Sequence, residues 1–141
     1  MNAMISGATA AVVLTAMHEC TRKNVDEAPR ADLLGMRAIA KAAESIGSAP
    51  PDRLRTWALG GDLVANSLYY GMAVALAPKA PVVAGAFAGC AAAAGLVFLP
   101  GPLGLGEDAV NRTRATEALG ASMYILAGFV AGCTYRWLDQ R

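Results

Sequence analysis

The chain has 141 residues, 55% of them hydrophobic and only 16% charged, with a net charge of +1; an ordinary soluble domain carries about 25% charged residues. That length suits one domain, and a charge this balanced, with no basic stripe or aromatic platform, excludes nucleic acid as a partner. Cys20, Cys90 and Cys133 show no CxxC or other metal spacing, which excludes a disulfide scaffold.

The charge deficit is uneven. Residues 1–17, 80–106 and 118–135 hold no Asp, Glu, Lys or Arg, and residues 56–78 hold only Asp62. A helix needs about 20 mostly apolar residues to cross a bilayer. The expectation is therefore an all-α, integral membrane four-helix bundle forming a single membrane domain over residues 1–141. The N-terminal MNAMISG has no positive n-region, so the first helix reads as a crossing and not as a cleaved signal.

The first crossing is expected over about residues 4–20. TRKNVDEAPR breaks it, and Pro29 suits the first turn of the next helix. Residues 30–46 have Met36, Ile39, Ala43 and Ile46 at helical spacing, with Arg37, Lys41 and Glu44 on another face. This is an additional amphipathic helix, too charged to cross, which lies at the interface or caps the bundle.

GSAPP ends the amphipathic helix, and the second crossing spans about 53–77. The short APKAP link makes the third crossing, about 82–99, its antiparallel neighbour. PGPLGLGED separates that helix from the fourth, about 113–137. Gly85 and Gly89 on the third crossing, and Gly128 and Gly132 on the fourth, repeat at the spacing that lets helix backbones approach closely. They serve packing inside one bundle or a homo-oligomer interface.

Nine of the twelve Lys and Arg residues fall in the segments joining crossings one to two and three to four. The positive-inside rule then puts those segments in the cytoplasm and both termini outside it. A bacterial inner membrane is the expected setting, since no eukaryotic targeting element is present.

One stretch resists a purely apolar reading. GGDLVANSLYYG carries Asp62, Asn66 and Tyr69 at i, i+4 and i+7, one face of a helix. A charged Asp at a helix centre costs about 2.5–3.5 kcal/mol on insertion, so that face should look into the bundle. Thr15, His18 and Glu19 end the first crossing, and Glu117 begins the fourth. The topology puts His18, Glu19, Asp62 and Glu117 at similar depth. They are candidate ligand or ion-binding residues together with Asn66 and Tyr69, and the one-nitrogen, several-oxygen set of His18, Glu19, Asp62 and Glu117 is a candidate divalent-metal site. No cofactor is otherwise expected.

No phosphate loop, HExxH motif or nucleophile elbow is present. No catalytic residue is assigned. The leading expectation is a small polytopic membrane protein with a polar pocket on the cytoplasmic side, serving transport or permeation of a small ion or solute. The alternatives are a non-catalytic accessory subunit of a larger membrane complex, and a membrane enzyme acting on a lipid head group. The bilayer is a partner in all three, and a homo-oligomer or larger complex is expected in the first two.

Overall fold

The computed structural model describes all 141 residues. It contains five helices and no strands: α1 Asn2–Asn24, α2 Ala31–Ser45, α3 Leu54–Leu76, α4 Pro81–Phe98 and α5 Arg114–Asp139. Local chemistry sets their ends. Arg22 and Lys23 sit in the last turn of α1, where cations meet the negative end of the helix dipole. The α2 helix closes on Gly47 at φ 71°, with the Ser48 N–H donating to the Ala43 carbonyl; glycine takes this left-handed conformation at no steric cost. Pro81 opens α4, where its missing N–H would have no helical partner anyway. Thr113 caps α5, its side-chain oxygen accepting from the Thr116 N–H at 3.1 Å.

Three of these helices, α1, α4 and α5, are long and apolar enough to cross a membrane. The sequence reading expected four, and α3 falls outside the group although it is 23 residues long. Thr56, Gly60, Gly61, Asp62, Asn66, Ser67, Tyr69 and Tyr70 lower its apolarity.

The four long helices pack in two antiparallel pairs, α1 with α3 and α4 with α5, and the pairs meet through α1 with α5 and α3 with α4. Small residues form both seams. A Cβ added at Gly85 would strike the Gly128 carbonyl, and one at Gly128 would strike Gly85. At Gly89 it would lie 2.8 Å from the Ile125 Cα, and at Gly132 2.6 Å from the Pro81 carbonyl. All four glycines thus face one another within the chain. The α1–α3 seam closes in the same way, with Gly7 against the Ser67 carbonyl and Gly71 against the Ala3 carbonyl. Buried Leu14, Tyr70, Val74, Met123 and Ala127 fill the space between the seams. The Tyr70 hydroxyl donates to the Tyr124 carbonyl at 2.9 Å, tying α3 to α5, and the Tyr69 hydroxyl donates to the Ala88 carbonyl at 2.9 Å, tying α3 to α4.

Only 28 of 141 residues are buried, and the outer surface is apolar. Val64, Leu68, Met72 and Leu76 make an exposed stripe along α3 at one-turn spacing, and Phe87, Phe98, Leu126 and Phe129 are exposed on α4 and α5. Contiguous apolar surface of this kind is rare on soluble monomers.

The α2 helix has no buried residue and lies over one end of the bundle. Gly35 lets it approach α3, 3.1 Å separating its added Cβ from that of Ala58. Arg37 grips Asp108 through two bonds of 2.8 and 2.9 Å and donates to the Leu105 carbonyl at 2.8 Å. Lys41 donates to the Leu103 carbonyl at 2.7 Å. The α2 helix thus covers this end of the bundle.

Candidate functional site: a cavity beneath α2

Beneath α2 lies a cavity of about 230 Å³. Thr15, His18 and Glu19 of α1 line one wall, Ala58, Leu59 and Asp62 of α3 another. Asp32, Leu34 and Gly35 of α2 form the roof, and Leu96 and Tyr124 reach in from α4 and α5. Drug-sized pockets run to about 300–1,000 Å³, so this space suits several waters or one small solute. The Gly7–Gly71 contact lies at the other end of the α1–α3 pair.

The acids of the lining fall into two kinds. Glu19 and Asp32 belong to a chain of ion pairs. Arg22 meets Glu19 at 2.8 Å, Arg55 meets Glu19 at 2.7 Å and Asp32 at 3.6 Å, and Arg30 clasps Asp32 at 2.8 and 3.0 Å. Asp32 is the inner member, its side chain only 6% exposed. Burial acts to raise its pKa, but the two Arg30 N–H bonds, the Arg30 charge, the Leu33 backbone N–H and Arg55 outweigh it and hold the carboxyl below its usual range. The same bonds raise the Arg30 guanidinium pKa. At the outer edge, the Arg37 bond holds the Asp108 carboxyl below its usual range.

Asp62 is the other kind. It has no cationic partner within ion-pair distance; its only side-chain bond comes from the Asn66 amide, which donates to Oδ1 at 2.8 Å and to the Asp62 carbonyl at 3.0 Å. Around it stand groups with nothing to bond. Both ring nitrogens of His18 and the Thr15 hydroxyl are buried without a hydrogen-bond partner. The His18 ring packs edge-on to Tyr124, centroids 5.7 Å apart. Native proteins satisfy nearly all such buried groups, because each one left open costs about 1–3 kcal/mol.

No protein-family model, curated protein or solved structure matches the chain.

Of the residues singled out from the sequence, the fold brings His18, Glu19 and Asp62 to one cavity. Asn66 stands behind Asp62 as its hydrogen-bond donor, and Tyr69 turns toward α4. Glu117, in the first turn of α5, is not in the lining. No group of three His, Cys, Asp or Glu side chains is placed to hold a metal ion. The set of His18, Glu19, Asp62 and Glu117 is thus not assembled as the sequence reading placed it: Glu117 stands apart, and arginines already occupy Glu19. Asp32 and Tyr124 were missed. Asp32 carried a signal, as an acid two residues after Arg30 at the start of an amphipathic helix. Tyr124 carried almost none, being one aromatic in an apolar run.

Proposed function

We propose that the chain is a polytopic membrane protein in which α1, α3, α4 and α5 cross the bilayer and α2 caps the cytoplasmic end, and that the cavity beneath α2 takes up a small polar solute or ion for passage across the membrane. The observation that carries this reading is the unpaired Asp62 in a cavity it shares with the partnerless His18 and Thr15. Ionisable groups within a membrane bundle are costly, and those not absorbed by ion pairs are the first candidates for handling a solute.

The case for α3 as a fourth crossing rests on how its polarity is distributed. Asn66 and Tyr70 bond within the fold, Tyr69 bonds to α4, and Val64, Leu68, Met72 and Leu76 face outward. An amphipathic helix of this kind enters a bilayer as a member of a bundle. Orientation follows from charge: nine of twelve basic residues lie at the α2 end, which puts that end in the cytoplasm and the termini outside. An accessory subunit that docks through Gly85, Gly89, Gly128 and Gly132 is less favoured, because those glycines already meet one another inside the chain.

The test has two parts. Cysteine substituted for Thr15 in a chain lacking Cys20, Cys90 and Cys133 should react with a small water-soluble thiol reagent added from the cytoplasmic side only. Proteoliposomes holding the wild-type chain should then pass a solute that the Asp62→Asn variant does not. Labelling from the opposite side reverses the orientation. Flux that is equal in both forms rejects Asp62 as the binding group.

A further inference from the structure

We infer that the cavity selects a compact organic cation, a protonated amine with a short alkyl group. This deepens the proposed function and rests on the cavity being a ligand site. The argument comes from what remains open in the lining once internal bonds are counted. Glu19 and Asp32 are neutralised by Arg22, Arg30 and Arg55. Asp62 is the one lining carboxylate with no arginine or lysine beside it. A second anion brought next to it would be repelled, and a neutral solute would leave its charge without a partner.

The remaining groups suit the same ligand. An ammonium group offers up to three N–H donors. The Asp62 carboxylate and the partnerless Thr15 hydroxyl and His18 nitrogen are acceptors for them. Tyr124 adds an aromatic ring, which attracts a cation to its face. Leu34, Leu59 and Leu96 provide an apolar wall for the alkyl part. A bare metal ion is the poorer fit, since no three His, Cys, Asp or Glu side chains are grouped to hold one. A cavity of about 230 Å³ leaves room for a few carbons and little more.

An ammonium of this kind comes either free, as a small amine, or on the ethanolamine head of a lipid reaching in from the membrane. Calorimetry on the purified full-length protein in micelles at neutral pH compares ethylammonium with propanol, propionate and sodium. Ethylammonium should bind. Asp62→Asn should weaken it about tenfold or more, as expected for loss of a charged hydrogen bond. Ala38 also lines the roof, and Ala38→Trp, which fills it, should abolish binding. If Asp62→Asn does not fold, Thr15→Val carries the test, with affinity lowered roughly threefold to tenfold for one neutral bond.

Propanol, propionate or sodium binding as tightly as ethylammonium overturns the inference. So does unchanged affinity in Asp62→Asn, or in Thr15→Val where that variant carries the test. If propanol or propionate binds and Ala38→Trp blocks it, the ligand cavity stands and the cation falls. If no solute binds, both fall. Native mass spectrometry then separates the two sources. Phosphatidylethanolamine that leaves when ethylammonium is added identifies the lipid head, whereas undiminished ethylammonium binding to a delipidated protein identifies the free amine.

Discussion

The α4–α5 pair and the α1–α3 pair are built from the same device and end differently. In α4–α5, glycines at two levels of each helix hold the backbones together: Gly85 against Gly128, Gly89 against Ile125, and Gly132 against Pro81. In α1–α3 the glycines that meet across the pair, Gly7 and Gly71, sit toward one end, whereas a Cβ added at Gly60 or Gly61 near the start of α3 would meet nothing within 4 Å. Beyond them α1 continues with Thr15, His18 and Glu19, and α3 carries Ala58, Leu59 and Asp62 toward its start. One pair is a closed seam and the other opens into a cavity. The cavity lies where glycines no longer meet across the α1–α3 pair.

The sharpest way to break this contrast is to add bulk to the closed seam. Gly85→Leu should cost about 3 kcal/mol or more, because the new side chain meets backbone that cannot give way. It should abolish the folded species in a detergent melt. The same change at Gly60, where an added Cβ meets nothing within 4 Å, should leave the melt near wild type.

A smaller effect is expected at the open pair. His18→Leu removes two partnerless ring nitrogens from a largely apolar space. It should raise stability by about 1 kcal/mol, the lower end of the penalty for an unsatisfied group, while solute uptake is lost. A melt that falls instead would make His18 a structural residue.

The roof responds to acid. Because the Asp32 carboxyl titrates below its ordinary 3.8 in the folded chain, its stabilisation is complete above that value and fades as the pH falls through the folded-state pKa. Hydrogen exchange of the α2 amides should therefore speed up in acid, and Asp32→Asn should show the fast rate already at neutral pH. The exposed Arg37–Asp108 pair adds less: Arg37→Ala should quicken exchange around residues 103–108 with little change in the melt.

The least effect belongs to Arg53, which starts α3 at φ 58°. Arg53→Gly relieves a left-handed conformation worth about 1–2 kcal/mol and adds glycine's entropy cost of about 0.5–1 kcal/mol. The melt should rise by under about 1 kcal/mol.

The helices were legible because apolar runs and proline and glycine breaks are local signals. The expected 53–77 and 113–137 lie close to the observed Leu54–Leu76 and Arg114–Asp139. Four crossings were expected and three helices meet the length and apolarity a span needs, because scattered polar residues dilute α3. Asp62 was visible as a charge in an apolar run, and one-turn spacing exposed its Asn66 partner. The roof was not visible. The hold of Asp32 by Arg30 and Arg55, and of Asp108 by Arg37, depends on where α2 docks, and neither helix period nor hydropathy encodes that. Gly7 was legible in hindsight, since Ala3, Gly7 and Ala11 repeat small residues every four positions.

The roof also has an order of assembly. Arg37 and Lys41 are fastened to Asp108 and to the Leu103 carbonyl, partners made 71 and 62 residues later. A ribosome adding about 5–20 residues per second reaches them roughly 3 to 14 seconds after Arg37 and Lys41 join the chain. Throughout that interval α2 lacks these anchors, and α3 and α4 are made within it. The cover over Asp62 is therefore secured only once the loop before α5 is made, and the wall that Tyr124 supplies from α5 follows later still.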